Sequence, residues 1–318
     1  FFAPRISRSC VGCGLCKEMC IKFIKNYGNR TFGSSMRGSK VYGGWSLDDH
    51  IRRSSSSGGL SHEIAKKYIT LGYKISGVWY NSELNRTEHI IIQDEESIER
   101  IKGSKYLQSL TTLAFMQFSA ENKYVVFGTP CQIYGLRKLI RKKGWEDNFI
   151  LIDLFCHGVP SYNLWLKYLE GYKGLNKSIR VNFRDKTNGW RNYSIRIDDG
   201  ICSFLSSRYK DLFINMYLSH TCLNKSCYQC LFRRDIIASD LRLGDFWGEK
   251  YNNDEHGVSI IVVNTKRGEE VLEKVKDNLF LERVTYNDLL RSQKIRFLSV
   301  PWEYNFVMPL LKSKLPLS

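Results

Sequence analysis

Four cysteines near the amino end of the chain have the spacing of iron–sulfur ligands. The four are Cys10, Cys13, Cys16 and Cys20. Their Cys-x2-Cys-x2-Cys-x3-Cys order matches the run of bacterial ferredoxins, in which thiolates on a tight turn reach different irons of one cluster. Gly12 and Gly14 would let backbone amides approach the cluster sulfides. The spacing therefore predicts a 4Fe-4S cluster, and a structural zinc site or free thiols are the alternatives.

Two features of this run leave its ligand set open. Ferredoxin runs usually end in Cys-Pro, whereas Ile21 follows Cys20 here, which removes a rigid turn but no ligand. In ferredoxins with two clusters the fourth cysteine of each run binds the other cluster, and this chain has a single run. Cys20 therefore either belongs to a neighbouring cluster whose own run is missing before Phe1, or closes one cluster in a shortened fold.

Composition and charge describe a globular chain of 318 residues. Hydrophobic residues make up 43% and aromatic residues 13%, which excludes disorder because so much apolar surface fills a core. No apolar run reaches the roughly 18–20 residues of a transmembrane segment, and no signal peptide is visible. The ten cysteines are crowded rather than dispersed, so we expect a reduced, cytoplasmic protein that holds metal. Since Phe1 is not Met, the chain is expected to be processed or cut from something longer.

The elements that must position such cysteines follow from the apolar pattern. Helical and strand periodicities alternate after residue 60, which predicts an α/β fold with a partly parallel sheet. The predicted division is a ferredoxin-like (α+β) segment with a linker over residues 1–40 and a mixed α/β core over 41–318. The predicted strands and helices cover residues 60–71 (helix), 74–80, 88–93, 105–118 (helix), 123–128, 132–143 (helix), 149–155, a helix from Pro160, antiparallel strands within 178–204, 258–265 and 267–278 (helix).

Seven short segments, taken in their order and spacing, resemble one known family. They are Ser54–Gly59, Gly103–Tyr106, Gly128–Gln132, Cys156–Ser161, Phe183–Lys186 with Gly189 and Trp190, Ser226–Cys230, and Gly244–Gly248. Over residues 8–280 the chain resembles the beta-subunit family of the deazaflavin (coenzyme F420) hydrogenases and dehydrogenases. Among its members, the chain resembles most the bacterial type encoded beside surface-polysaccharide enzymes.

The resemblance implies an iron–sulfur flavoprotein, normally with FAD and one or more 4Fe-4S clusters. Such a protein moves electrons between a carrier and an organic substrate, because a cluster carries one electron and a flavin converts one-electron to two-electron chemistry. We expect a reduced ferredoxin or similar carrier as the donor. The expected substrate is an anionic small molecule, such as a nucleotide-linked or lipid-linked sugar intermediate. The net charge of +16 favours an acidic electron carrier as well as an anionic substrate.

A Ser/Gly loop before the helix at 60–71 suits the pyrophosphate of a flavin. A glycine-containing loop that enters a helix offers free amides and the positive end of the helix dipole. The alternatives are a flexible linker for the loop, a solvated strand end for the cations and core positions for the aromatic rings. The predicted cofactor-binding residues are Ser56, Ser57, Gly58, Gly59, Lys105, Tyr106, Thr129, Arg184, Lys186 and Trp190.

A second set of cysteines falls at the ends of predicted strands, where α/β sheets collect ligands. Cys131 and Cys156 each follow a strand, and Cys227-x2-Cys230 adds a pair. These four predict a second 4Fe-4S site. Cys222 is an alternative to Cys131 or Cys156, and each lone cysteine has the alternative of a small buried hydrophobe.

His157 and Lys186 are the predicted catalytic residues. His157 follows Cys156, and an imidazole that titrates near working pH could donate a proton during substrate reduction. A structural role for His157 is the alternative. Asp245, in the Gly-Asp-Phe-Trp-Gly segment, either hydrogen-bonds a ligand or shapes a turn.

Two functions of other classes compete with the oxidoreductase. One is a catalytically inactive iron–sulfur scaffold. The other is a metal-stapled nucleic-acid-binding protein, which the +16 charge favours. Nucleic acid is nevertheless not the expected partner, because the basic residues are spread along the chain and zinc-finger histidine spacing is missing. The sequence leaves open whether the chain forms a homo-oligomer.

Overall fold

The computed structural model describes residues 6–23, 33–172, 179–293 and 295–317. This part of the chain forms one eight-stranded sheet with helices on both faces and a separate three-stranded sheet. The strands are β1 (Lys40–Ser46), β2 (Lys74–Asn81), β3 (Arg86–Ile92), β4 (Tyr124–Gly128), β5 (Phe149–Leu154), β6 (Arg180–Asp185), β7 (Ser194–Asp198), β8 (Ser203–Ser207), β9 (Leu241–Asp245), β10 (Ser259–Val263) and β11 (Leu279–Val284).

The helices of the described residues differ widely in length. The longest has 14 residues and the shortest have four. They are α1 (Leu15–Met19), α2 (Asp49–Ser54), α3 (Leu60–Thr70), α4 (Ile98–Ile101), α5 (Thr112–Phe115), α6 (Pro130–Lys143), α7 (Tyr162–Glu170), α8 (Leu212–Leu218), α9 (Lys225–Tyr228), α10 (Lys266–Val275), α11 (Tyr286–Ser292) and α12 (Tyr304–Lys312).

The large sheet is mixed, with the order β11-β1-β10-β9-β5-β4-β2-β3. Its centre, β9-β5-β4-β2, is parallel, whereas β10, β11 and β3 pair antiparallel with their neighbours. Since β10 runs against both β9 and β1, β1 points the same way as the parallel centre. The carboxyl ends of β1, β2, β4, β5 and β9 therefore meet at one edge, as the predicted α/β fold requires.

Both faces of the sheet are covered, which explains the continuous apolar runs of its central strands. On one face α3 and α10 pack against residues such as Val125 and Ile152. On the other face α6 packs against the alternate residues, such as Val126 and Leu151. The result is a sheet that holds its edge rigidly, because each strand is fixed from above and below.

Helix α6 shows how local sequence sets an element at that edge. Thr129 and Gln132 form a capping box, and Pro130 occupies the first turn, where its missing N–H costs nothing. Basic residues fill the last turn, and Gly144 ends the helix with a φ of 69°. These signals fix where α6 begins and so hold Cys131 in its first turn.

The smaller sheet, β6-β7-β8, is antiparallel, as the alternating pattern in residues 178–204 predicts. Its apolar face packs with α7 and α8 around Trp165 and Phe213, both fully buried. Arg184 and Asp185, at the end of β6, are thereby carried towards the edge of the large sheet.

Two predicted helices differ from the structure. Residues 105–118 were expected to be one helix, but only Thr112–Phe115 is helical, because residues before it run as an irregular loop that bridges β3 through Leu110. The helix expected from Pro160 begins at Tyr162 instead. Ser161 caps it by accepting a hydrogen bond from the Asn163 amide, while Pro160 forms a bridge with Leu223.

The amino-terminal segment is described in part. Residues 6–23 contain α1 and a following 3-10 turn, and the predicted ferredoxin-like residues 1–5 and 24–32 lie outside the described residues. Elsewhere in the described chain, no helix combines the length and the apolar character that crossing a bilayer demands.

Candidate redox site at the carboxyl edge of the sheet

The second set of cysteines lies at the carboxyl edge of the sheet. Cys131 is in the first turn of α6, directly after β4, and Cys156 follows β5, the neighbouring parallel strand. Cys227 is in α9, and a Cβ on Gly158 would lie 3.6 Å from the Cys227 sulfur. Cys230 begins the 3-10 turn after α9. Four cysteines from three separate segments thus approach one edge of the sheet, and the cluster that they would bind stays a prediction.

The pKa values of these thiols show that they share one electrostatic environment. Burial raises the pKa of Cys131 to about 11, and the nearby thiols of Cys230 and Cys227 add to the rise. Burial likewise raises the pKa of Cys156, with further contributions from Cys227 and Cys131. Cys131 nevertheless has an exposed surface. A thiol that protein surrounds but solvent reaches lies in an open recess.

Sulfur donors such as these bind either a zinc ion or an iron–sulfur cluster. Within the described ranges, no three His, Cys, Asp or Glu side chains converge as ligands of a single metal ion. A lone zinc ion needs its sulfurs about 2.3 Å from one centre. The thiolates of a 4Fe-4S cluster each bind a different iron and therefore stand farther apart. The donor set fits such a cluster chemically.

Cys222 does not belong to this group. Its side chain is fully buried in the apolar core beside α8, and its thiol donates to the carbonyl of Met216. Burial raises the pKa of this thiol to about 11, without a contribution from the other cysteines. The alternative in which Cys222 replaces Cys131 or Cys156 is therefore disfavoured.

The amino-terminal cysteines are exposed or half-buried, and their segment packs on α6. Lys142 forms an ion pair of 2.9 Å with Glu18, and a Cβ on Gly135 would lie 3.3 Å from the carbonyl oxygen of Met19. Ile21 joins an apolar cluster with Tyr134, Phe232 and Cys230. The run Cys10, Cys13, Cys16 and Cys20 is thereby held beside the second cysteine group. Gly12 and Gly14 have φ values of 69° and 77°, which favour glycine.

The Ser/Gly loop packs against the end of β1 and the start of β10. The Gly58 amide donates to the Ser259 hydroxyl at 3.0 Å, and the Ser46 amide donates to the Gly58 carbonyl at 2.7 Å. Gly59 has a φ of 88° and begins α3 without a side-chain cap. Ser56 and Ser57 keep accessible surface. The loop is therefore an ordered entry to a helix rather than a flexible linker.

This packing changes the role expected of Gly58. A Cβ there would lie 2.5 Å from the Gly44 carbonyl oxygen, which is the protein's own backbone. The sequence predicts that Gly58 binds the cofactor, and a missing side chain there leaves room for another group. The structure shows that it makes room for β1, so a larger residue at Gly58 strains the fold before it reaches any cofactor.

Lys186 anchors the same loop. Its ammonium donates to the carbonyls of Arg52 at 2.7 Å and Ser57 at 3.0 Å, and to that of His256. Three carbonyls satisfy the three donors of an ammonium group. Burial lowers the pKa of Lys186 to about 7. The geometry therefore gives Lys186 a positioning role, and not the free ammonium that the predicted catalytic and cofactor contacts require.

Lys105 and Tyr106 lie beside the loop. The Ser104 amide donates to the Ser56 hydroxyl at 2.7 Å, which joins the two segments. Lys105 donates to the carbonyls of Ile101 and Lys102 at 2.9 and 2.6 Å, and burial lowers its pKa to about 7. Its side chain keeps some accessible surface, as does Tyr106. Both therefore follow directly on the contact with Ser56 and remain partly accessible.

Arg184 is buried at the floor of this region, where its guanidinium pairs with Asp245 at the end of β9. The Trp190 indole donates to the same carboxylate at 3.0 Å. Trp190 has no accessible surface and stacks on Trp247 with the ring centroids 5.1 Å apart. It therefore supports Asp245 from behind and offers no face to a cofactor, contrary to its predicted contact. Asp245 is engaged within the protein rather than free for a ligand.

His157 and Thr129 lie beside the cysteine group. Burial beside Arg233 lowers the pKa of His157 to about 4, so its imidazole is neutral at pH 7 and is not the proton donor expected from the sequence. The Thr129 hydroxyl lies 3.3 Å from the Cys131 sulfur and 2.9 Å from the side-chain oxygen of Gln132. The Thr129 hydroxyl thus contacts Cys131 and the helix cap, and so positions Cys131.

Sequence reasoning missed Arg233. Its guanidinium donates to the Cys156 carbonyl at 3.4 Å, and it helps to lower the pKa of both Cys227 and Cys230 against the effect of burial. It places a positive charge near the thiols of Cys227 and Cys230 and beside the backbone of Cys156. The signal was its position three residues after Cys230, but a single Arg among 48 basic residues does not stand out.

Comparisons with known proteins identify a family for most of the core. The family described as the C terminus of the coenzyme F420 hydrogenase/dehydrogenase beta subunit matches residues 121–288. Coenzyme F420 hydrogenase subunit beta of Methanococcus voltae is 28% identical over 203 residues, which are 61% of this chain and 65% of that protein. The match thus spans a little less than two thirds of the relative's length.

A solved structure, a xenon-derivatised F420-reducing [NiFe] hydrogenase complex from Methanosarcina barkeri, contains a chain with a similar fold. The TM-score is 0.56 at 17% sequence identity, with 83% of this chain and 89% of that chain covered. At this identity the likeness concerns the fold alone. Since the matched family region spans more than half of the 318 residues, and includes Cys131, Cys156, Cys227 and Cys230, the chain belongs to the coenzyme F420 hydrogenase/dehydrogenase beta-subunit family.

Proposed function

We propose that the protein is an iron–sulfur flavoprotein oxidoreductase. The observation that carries the proposal is the approach of four cysteines from three segments to one edge of a parallel sheet. The amino-terminal cysteines, packed on α6, would hold a further cluster beside them. Clusters carry single electrons, and a bound flavin would convert these to two-electron chemistry at an organic substrate.

The proposed flavin, FAD, would lie between the Ser/Gly loop and the cysteine group. Ser56 and Ser57 would face its phosphates together with the uncapped amino end of α3. Lys105 has one donor beyond its two carbonyl contacts and would add positive charge. Arg184, held by Asp245, and Lys186, held by loop carbonyls, would keep these groups in place.

The proposed electron source is a ferredoxin or similar acidic carrier, and the proposed substrate is an anionic small molecule such as a sugar intermediate of surface-polysaccharide synthesis. The net charge of +16 supports both. The relative from Methanococcus voltae is named for coenzyme F420, so this deazaflavin is the donor to test beside ferredoxin. Anaerobically purified protein should show cluster absorption and release FAD on denaturation. A colourless, zinc-containing protein would instead favour the nucleic-acid alternative.

The affinity for FAD should fall as the pH rises above 7, because Lys105 loses its proton there. Its pKa is about 7 before an anion binds, and a bound phosphate favours the protonated form. Above pH 7 binding must therefore take up a proton. The affinity for FAD then falls by about tenfold per pH unit, until the pH reaches the raised pKa of Lys105 in the complex. Titration of deflavinated protein with FAD at several pH values measures this slope.

Lys105→Met should bind FAD more weakly at pH 6 and show a flatter pH profile. Lys40→Met is the matched control, since Lys40 begins β1 at the opposite edge of the sheet and pairs with Glu269. A Lys105→Met protein with the wild-type affinity and slope would place the phosphates elsewhere.

Reduction of the bound flavin by reduced ferredoxin should slow as salt is added. Long-range attraction between a protein of net charge +16 and an acidic carrier raises the encounter rate, and salt screens it over about 10 Å at 0.1 M. Stopped-flow rates at low and high ionic strength provide the measurement. A rate independent of salt would remove the electrostatic argument. If reduced deazaflavin reduces the bound flavin and reduced ferredoxin does not, the deazaflavin replaces ferredoxin as the proposed donor.

A further inference from the structure

The carboxyl-terminal part of the described chain exposes a row of large apolar side chains. Phe306 and Leu310 lie four residues apart on one side of α12, and Trp302 lies four residues before Phe306, in the turn that precedes the helix. The exposed fractions of Trp302, Phe306 and Leu310 are 71%, 63% and 54%, and Leu315 just beyond the helix is 60% exposed. Contiguous apolar surface of this kind on a folded protein usually marks an interaction site.

The opposite face of α12 is fixed to the body of the protein. Tyr304 and Leu311 are buried, Tyr304 against Tyr228 and Leu311 in the cluster with α7 and α8. The helix is therefore held as an ordered element with its apolar row outward, and its exposure does not come from fraying. Trp302 and Phe306 also contact each other edge to face, with the centroids 5.8 Å apart.

Positive charge flanks this row. Between residues 296 and 317 the acidic residue is Glu303 alone, against Arg296, Lys312 and Lys314, all three exposed. The rim of a protein interface is polar and carries both signs of charge, whereas three cations and one acidic residue lie beside this row. Tryptophan, phenylalanine and leucine beside lysines are instead the composition of helices that lie in a bilayer interface.

We propose that α12 and the residues around it bind the surface of an anionic lipid bilayer. Trp302, Phe306 and Leu310 enter between the headgroups, and Lys312 and Lys314 lie against the lipid phosphates. The helix has nine residues, which suits a position parallel to the surface. The charge of the whole chain, +16, adds long-range attraction to the same surface. This inference is independent of the redox function.

Flotation of the full-length protein with lipid vesicles tests the proposal. We expect co-flotation with vesicles of phosphatidylcholine and phosphatidylglycerol in equal parts, little with phosphatidylcholine alone, and release by added salt. Trp302→Ser/Phe306→Ser should weaken binding to the mixed vesicles by about tenfold or more for each aromatic side chain. Both side chains are exposed, so iron content and circular dichroism should stay at wild-type values.

Leu113→Ser/Met116→Ser is the matched control, because these apolar residues at α5 are 57% and 79% exposed but lack flanking lysines. It should float as the wild type does. The proposal is overturned if wild-type protein does not float with mixed vesicles, or if the Trp302→Ser/Phe306→Ser protein floats equally well. It is also overturned if size-exclusion chromatography shows that this face joins two copies of the chain and the dimer does not bind vesicles.

Discussion

Replacing Cys227 and Cys230 together with serine should remove about four irons and four sulfides per chain. Serine hydroxyls stay protonated and bind iron poorly, so Cys131 and Cys156 alone would not hold a cluster. The iron bound through Cys10, Cys13, Cys16 and Cys20 should remain, because that run has its own four sulfurs. Iron and sulfide analysis of anaerobically reconstituted protein is the measurement.

Two single variants sharpen this experiment. Cys202→Ser should keep the full iron content, since Cys202 is exposed directly before β8 of the small sheet. Cys222→Ala should keep it as well, since its thiol contacts only core groups and the Met216 carbonyl. Unchanged iron in the Cys227→Ser/Cys230→Ser protein would refute the second cluster. Loss of iron in Cys222→Ala would restore Cys222 as a ligand.

The Asp153→Ala protein should be less stable than wild type by about 3–5 kcal/mol. Asp153 in β5 binds Arg242 in β9 through two hydrogen bonds of 2.7 Å, and both side chains are fully buried. Removing the carboxylate leaves an unpaired guanidinium in the sheet. Urea unfolding followed by circular dichroism gives the free energy of unfolding.

Two further variants separate charge burial from packing. Asp49→Ala breaks an exposed pair with Arg53 and should change stability far less than Asp153→Ala does. Asp153→Leu/Arg242→Met removes both buried charges and should recover much of the loss. A single Asp153→Ala protein as stable as wild type would mean that water or a rearranged side chain compensates Arg242. Since Cys156 follows β5 and Asp245 ends β9, iron retention should fall with stability.

The family and the fold class were both within reach of the sequence. Alternation of helical and strand periodicity predicted the α/β fold, because a parallel sheet covered on both faces needs apolar strands separated by amphipathic helices. The order of short motifs predicted the family, which the match over residues 121–288 confirms. The finer predictions of a polysaccharide-linked substrate, of FAD and of ferredoxin stay predictions.

Cys131 and Cys156 are the clearest case of residues whose place in the fold the sequence predicted. A residue directly after a parallel strand must lie at the carboxyl edge, and neighbouring strands bring such residues together. That rule places Cys131 and Cys156 without knowledge of any contact. It does not apply to Cys222, which lies on no strand, so only the packing of α8 shows that it belongs to the core.

What the sequence alone determined was which residues carry chemistry and roughly where along the sheet they stand. Only the tertiary structure decided what each polar group does, because that depends on partners distant in the chain. The Lys186 ammonium is hydrogen-bonded to the Ser57 carbonyl, which lies 129 positions away in the chain. Gly58 packs closely against the backbone of β1. Trp190 is fully buried and donates a hydrogen bond to Asp245. Burial beside Arg233 lowers the pKa of His157 to about 4, which favours its neutral form. Burial and hydrogen-bond saturation are properties of the packed chain, and no local spacing encodes them.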